Sequence, residues 1–303
     1  MLRPDKDLIL EASEVLGIDK AFIEKDWFIT QLLRSTKAFH GDPRISLVFS
    51  GGTALSKAHR RISRFSEDVD FRIHSDEKIS RSARSRWRKE LVVHLRENGW
   101  GVSDEQVLAR DEGRYIVINV PYPTYFSPHV ALRPELKLEL RDRPIQRAPT
   151  VCAVSSFLNE LAKLPAEVPQ IHCLDVTENA ADKLAALAWR VPARRAKVKR
   201  AEDPNLVRHV YDLAALLPSV TEGGAFVSCL KASMRADAES SPLEEQPIGA
   251  YDRIKSTLAI LKDTPSYRDE YKTFVLGTVY GSVDSSPSFE EGLAAIESLL
   301  RHW

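Results

Sequence analysis

Along the first forty residues, apolar side chains recur at helical spacing. Leu8, Leu10, Val15 and Leu16 come first, then Phe22, Trp27, Phe28, Leu32 and Leu33, which predicts two helices over residues 5–39. The next apolar run has a different character. ISLVFSGG (45–52) is short and β-rich and ends in two glycines, the pattern of a buried strand entering a tight turn. TALSKAHRRI opens a helical pattern directly after those glycines. EDVDFRI (67–73) alternates, with Val69, Phe71 and Ile73 on one face and Asp68, Asp70 and Arg72 on the other. Residues 78–98 predict a basic helix stopped by Asn98-Gly99.

Strands then dominate: VSDEQVLA, RYIVINVPY and the long run HVALRPELKLEL, which ends at Leu140. The Pro-rich stretch 141–150 predicts a connection leaving that sheet. From about Val176 the pattern is helical, over 177–190, 204–217, 222–236, 250–262, 268–280 and 288–301, with the polar SSPLEEQP (240–247) as a loop between helices. There is no internal repeat. The expected architecture is α+β: residues 1–175 forming a mixed sheet with flanking helices, and residues 176–303 a helical C-terminal domain.

Composition narrows the picture only a little. A chain of 303 residues that is 43% hydrophobic and 28% charged is globular and long enough to bury a sizeable core. The start, MLRPDKDLIL, lacks the apolar core of a signal peptide, and no apolar run approaches the ~18 residues of a membrane span. Cys152, Cys173 and Cys229 are too few and too scattered for a disulfide framework or a zinc knuckle, so a reduced cytoplasm is the expected location.

Two short segments carry the chemistry: Phe49-Ser50-Gly51-Gly52-Thr53-Ala54-Leu55, and Arg64-Phe65-Ser66-Glu67-Asp68-Val69-Asp70. Two glycines between strand and helix let the backbone approach a phosphate closely, and the helix N-terminus offers N–H groups and a positive dipole end. Thr53 adds a hydroxyl to that cradle. Asp68 and Asp70, two apart on one strand, project to the same side and can both hold a hard cation such as Mg²⁺. Two such ions roughly 3.5–4 Å apart can clamp the attacking and leaving oxygens of a phosphoryl displacement. HVALRPELKLEL supplies a third carboxylate: Glu135, Lys137 and Glu139 share one face, and Glu139 lies deepest in the regular alternation. Taken singly, a D-x-D is commonly a solvated strand face and a Gly-Gly a simple turn. Their order here is much rarer, and it points to a nucleotide site.

Competing chemistries lack their signatures. GGTALSK has no adjacent Gly-Lys-Ser/Thr, so it is not a P-loop, and there is no G-x-S-x-G or H-E-x-x-H. Tyr122, Tyr125 and Phe126 could stack a base, but a packed β-loop is the better reading of them.

The run FSGGTAL…RFSEDVDF followed by KLEL resembles the AbiEii/AbiGii-type (MenT-like) nucleotidyltransferase toxins of the DNA polymerase β-like superfamily. ENAADKLAALAWR (178–190) and RHVYDLAAL (208–216) are similar to that family's helical signatures, so the resemblance runs from about residue 20 to 217. Several expectations follow from it. The fold is a polymerase β-like nucleotidyltransferase core plus a helical C-terminal domain. The activity is Mg²⁺-dependent transfer of a nucleoside monophosphate from an NTP to an acceptor, the expected acceptor being a tRNA 3′ end. The partner is a cognate antitoxin in a toxin–antitoxin or phage-defence system. The resemblance also implies roles: Asp68 and Asp70 bind Mg²⁺, with Glu139 helping to deprotonate the attacking hydroxyl. Gly51, Gly52, Thr53 and Lys183 hold the triphosphate, Asp212 supports Lys183, and Ser66 stands where the family places a hydroxyl. His209 departs from the family's R-D-x-Y-D-L, which has an aspartate there. Two alternatives remain open, nucleotidylation of a protein hydroxyl and a non-catalytic RNA- or partner-binding module.

Charge bears on the acceptor. With 43 Lys+Arg against 43 Asp+Glu the net charge is zero, which gives no whole-protein reason for a nucleic-acid partner. The charges are nevertheless segregated. Lys78, Arg81, Arg84, Arg86, Arg88 and Lys89 form one basic run without an acid, with Arg81, Arg84 and Arg88 on one helical face. Arg190, Arg194, Arg195, Lys197, Lys199 and Arg200 form a second. Each could neutralise phosphates of a polynucleotide. Asp237, Glu239, Glu244 and Glu245 collect in ADAESSPLEE.

Overall fold

The computed structural model describes residues 3–127, 129–198, 203, 205–240, 249–280 and 286–303. Two compact units emerge. The chain up to Arg60 together with Phe65–Leu174 forms the first, and Arg61–Arg64 with Asp175 onward forms the second.

The first unit opens with helices α1 (Lys6–Leu16) and α2 (Lys20–Lys37), whose N-termini are capped by the carboxylates of Asp5 and Asp19. Its centre is a seven-stranded mixed sheet of order β3-β4-β5-β2-β1-β7-β6. The strands are β1 (Ser46–Ser50), β2 (Asp68–His74), β3 (Val107–Arg110), β4 (Tyr115–Val120), β5 (Leu136–Asp142), β6 (Thr150–Val154) and β7 (Val168–Cys173). β2 runs antiparallel to β1 and parallel to β5. Val48, Phe49, Val69, Phe71, Leu138 and Leu140 are buried along these three central strands, and α2 packs on β2 and β7. Helix α4 (Arg81–Glu97) forms as its pattern predicts.

Several elements differ from their sequence patterns, each for a tertiary reason. The helix expected after the glycines includes them: α3 (Gly51–Thr53) continues only as a π turn over Ala54–Ala58 and does not reach Ile62. The chain turns at Arg60, φ +53°, and buries Ile62 and Arg64 instead. β5 starts at Leu136 rather than near His129. Pro134 has no N–H for a ladder, and the carbonyls of Arg133 and Glu135 accept from the buried Lys25 Nζ at 2.6 and 3.2 Å. β6, β7 and the short helix α5 (Phe157–Leu161) had no sequence prediction. Pro169 disguises β7, a strand with the irregular burial order buried-exposed-exposed-buried.

The second unit is helical: α6 (Val176–Arg195), α7 (Arg208–Leu216), α8 (Gly223–Ser240), α9 (Ala250–Asp263), α10 (Pro265–Glu270) and α11 (Phe289–Leu300). α6 packs on α7, α8 and α9, and α7 packs on α11. The helix expected over 268–280 is broken, running from α10 into a π turn, Tyr271–Val275, and a 3₁₀ turn, Leu276–Thr278. Among the described residues, no helix is long and apolar enough to cross a membrane.

The basic runs are partly structural. Arg84 is buried, donating to the Ile79 carbonyl at 2.7 Å and pairing with Asp142 at 3.4 Å, so the face it shares with Arg81 and Arg88 is not an open basic stripe. Lys78, Arg81, Arg86 and Lys89 are exposed. Arg190 pairs with Asp203 and Arg194 with Glu270, while Lys199, Arg200, Glu244 and Glu245 lie outside the described residues.

Candidate active site

Register gathers the acidic residues. On the parallel pair β2–β5, Asp68 stands beside Lys137 and Asp70 beside Glu139. Because side chains alternate along a strand, these four share one face, and the other face carries Val69, Phe71, Leu138 and Leu140, all buried at 2% exposure or less. Asp70 also faces Ser50 across the antiparallel β1–β2 pair, which brings the Gly51–Gly52 turn directly against it.

Gly51 is there for two reasons. Its φ is +76°, and a Cβ on it would collide with Asp70 Oδ2 and lie 2.9 Å from Asp70 Cγ. Gly51→Ala should therefore cost about 1–3 kcal/mol in backbone strain and displace the Asp70 carboxylate. Denaturant unfolding should show the lost stability alongside lost activity; a variant as stable and active as wild type would contradict this.

The three carboxylates are in different electrostatic states. Asp68 Oδ1 accepts from Arg133 Nη1, but burial still pushes its carboxyl above the usual range. Asp70 is pushed up to about 8, first by burial and then by the charges of Glu139 and Asp68. Glu139 behaves oppositely. Burial alone would raise it, yet Arg141, Lys137 and the Tyr115 hydroxyl hold it down to about 2. Its Oε2 accepts from Lys137 Nζ at 2.6 Å and Tyr115 OH at 3.0 Å, and its Oε1 from Arg141 Nε at 3.0 Å. A carboxylate so engaged stays ionised at neutral pH. Glu139 thus stands beside Asp70 on the shared face, its charge engaged by Lys137, Arg141 and Tyr115.

Thr53 closes the glycine turn. It is fully buried, and its hydroxyl donates to the Asp68 carbonyl, so it ties the glycine turn to β2. Ser66 is half-buried two residues before Asp68, and no hydrogen bond among the described residues links it to the carboxylates. Beneath the site lies a support that the helical periodicity of α2 concealed. The fully buried Lys25 donates to Glu67 Oε2 at 2.6 Å as well as to the carbonyls of residues 133 and 135, and the Arg133 N–H donates to the same Glu67 oxygen at 2.9 Å. Burial pulls the Lys25 ammonium down and Glu67 opposes that pull. Together these bonds fix the segment that places Arg133 on Asp68.

In the second unit, Lys183 Nζ on α6 lies 2.5 Å from Asp212 Oδ2 on α7. Asp212 is fully buried and also receives a two-pronged guanidinium: Arg64 Nε to Oδ1 and Nη2 to Oδ2, both at 2.7 Å. Burial would raise its carboxyl, but Arg64 and then Lys183 hold it well below the carboxylate range. His209 is kept neutral by burial, with the charges of Lys183 and Arg190 acting in the same direction. Arg64 stood within the RFSEDVD run without a role, and only the structure pairs it with a residue 148 positions away.

A glycine turn that leaves one sheet strand and abuts an acidic neighbouring strand, itself in register with a second acidic strand, suits a nucleotidyltransferase site. Comparison with protein families agrees. The family described as "Nucleotidyl transferase AbiEii toxin, Type IV TA system" matches residues 31–295, and the chain belongs to that family. Its enzymatic class is thus nucleotidyl transfer, and family membership carries an NTP substrate and an antitoxin counterpart. Among solved structures the fold is similar to "MenT4, nucleotidyltransferase toxin Rv2826c from Mycobacterium tuberculosis H37Rv", with a TM-score of 0.53 at 17% identity over 96% of this chain and 98% of that one. A search of curated proteins gave no match.

Proposed function

We propose that this toxin transfers a nucleoside monophosphate from an NTP to an RNA hydroxyl, with the 3′ end of a tRNA as acceptor, using Mg²⁺ held by Asp68 and Asp70. The observation that carries the reading is the juxtaposition of both aspartates with Gly51 on one face of the sheet. The donor set suits a hard cation, since all the ligand atoms are carboxylate oxygens, and the ion would take the place on Asp68 that Arg133 now holds. Bound there, Mg²⁺ supplies charge that offsets what develops on the transferring phosphate.

The chain's own residues divide the remaining work. Gly51 and Gly52 let the backbone approach the phosphates without side-chain obstruction. Lys183, held by Asp212, binds nucleotide phosphate. Glu139 serves as a fixed negative charge that keeps Lys137 and Arg141 in place beside the aspartates. In the reaction the acceptor oxygen bonds to the α-phosphorus, the bond from that phosphorus to the α–β bridging oxygen breaks, pyrophosphate departs and the hydroxyl proton passes to solvent.

Exposed Lys78, Arg81, Arg86 and Lys89 favour RNA over protein as acceptor. Arg86 and Lys89 also line, with His40 and Phe39, a groove of about 830 Å³ along α4. Incubation with each α-labelled NTP, total RNA and total protein tests this, with label expected in the tRNA fraction. Label confined to protein would replace the acceptor, and the absence of label from both would overturn the proposal.

A further inference from the structure

The fold brings together two cysteines and a histidine that are far apart in sequence. Cys152 lies on β6, Cys173 ends β7, and His59 follows the π turn that continues α3. A ring nitrogen of His59 and the two Sγ atoms all lie within 4.8 Å of one another. Strand register explains the meeting of the thiols. Cys152 pairs with Ile171 and Cys173 with Thr150, so the two are diagonal neighbours on one face of the β6–β7 ladder. Cys173 is fully buried, whereas His59 and Cys152 are partly exposed, which gives an ion a way in.

We propose that His59, Cys152 and Cys173 form a binding site for a thiophilic divalent cation of the Zn²⁺ class, separate from the carboxylate site. Two thiolates and an imidazole are soft-to-borderline donors, the set that Zn²⁺ prefers and Mg²⁺ avoids. Zinc–sulfur bonds of about 2.3 Å and zinc–nitrogen bonds of about 2.0–2.1 Å place tetrahedral donors roughly 3.5–3.8 Å apart, so a contraction of about 1 Å completes three ligands. Water would take the fourth position. The His59 ring is already oriented, with Nε2 2.9 Å from the Leu174 carbonyl, the kind of backbone partner that fixes metal-bound histidines. Binding releases the two thiol protons to solvent.

The position gives the site a consequence. Cys173 is in register with Phe49 on β1, two residues before Gly51, and the Leu174 N–H donates to the Phe49 carbonyl at 2.8 Å. His59 terminates the turn that begins at Gly51–Thr53. A bound ion therefore fastens the far end of the glycine turn to the sheet. The site is a structural clamp whose existence does not depend on the proposed acceptor.

Titration of the reduced, metal-stripped full chain with Co²⁺ tests it. One equivalent should bind with a thiolate-to-cobalt charge-transfer band, Zn²⁺ should displace it, and Zn²⁺ should raise the unfolding temperature. Cys152→Ser and His59→Ala, both at partly exposed positions, should each weaken binding at least about tenfold, and Cys152→Ser should remove the zinc-dependent rise in stability. Asp68→Asn should keep the band, which separates this site from the carboxylates. The absence of a charge-transfer band in wild type, or a band that survives undiminished in Cys152→Ser and His59→Ala, would overturn the proposal.

Discussion

Asp70→Asn should abolish nucleotidyl transfer and at the same time stabilise the metal-free protein. The loss of activity should be at least about a hundredfold, because even outer partners of a metal site cost 10–100-fold when removed. The gain in stability follows from the raised carboxyl. Burial, Glu139 and Asp68 push Asp70 up to about 8, against about 3.9 in the unfolded chain. Between those values the folded state binds a proton that the unfolded state has released. Wild-type stability therefore falls as pH rises from about 4 to 8, by up to ~1.4 kcal/mol per pH unit from this group. Asparagine has no charge to bury, so the variant should lack this slope. Unfolding curves with a chelator at pH 5 and pH 8 should show the variant's advantage growing with pH. Equal pH dependence in the two proteins would contradict the reading, as would undiminished transfer by the variant.

The second large effect belongs to Asp212. Its fully buried carboxylate balances Arg64 and Lys183, so Asp212→Ala leaves two buried cations facing each other. Breaking a buried ion network by removing one member costs about 3–5 kcal/mol, and chemical denaturation at pH 7 should show a loss of that size. The pH dependence has a defined sign. Because the folded-state value is depressed, the stabilisation is present above the unfolded value of about 4 and fades as pH falls below it. The gap between wild type and variant should therefore close on acidification. Replacing all three residues together (Arg64→Met, Lys183→Met, Asp212→Leu) should recover much of the stability but none of the activity. A single-variant loss below ~1 kcal/mol, or a gap that persists unchanged to pH 2, would show that the carboxylate is not what holds the two cations.

These two sites show what could be read along the chain and what could not. The alternation of EDVDFRI and of KLEL encodes which side chains share a face within each strand, whereas the pairing that brings Glu139 beside Asp70 is set by the sheet. The glycine turn was equally visible, because it lies next to its strand. Contacts set by tertiary structure were not. Arg64 reaches Asp212 across 148 positions, and Lys25 sits on a helix whose periodicity marks only its apolar neighbours. Glu139 is instructive in another way. Lys137 and Arg141 flank it at a spacing of two, so the cations that neutralise it stand in the same alternation that singled it out. A pattern that collects carboxylates on one face collects their counter-ions there too. The apparently scattered cysteines carry a similar lesson: β6 and β7 had no clear strand signature, so nothing in the sequence hinted that Cys152 and Cys173 would meet. Beyond residue 217 no motif was legible, although the family match extends to residue 295.

The most direct test of the central claim is to follow the α- and γ-phosphates of one NTP separately. With wild-type protein, Mg²⁺ and tRNA, α-label should enter the tRNA while γ-label leaves as pyrophosphate, and Asp70→Asn should produce neither. Transfer of γ-label to the acceptor, or α-label incorporation that is unchanged in Asp70→Asn, would contradict nucleotidyl transfer at this site.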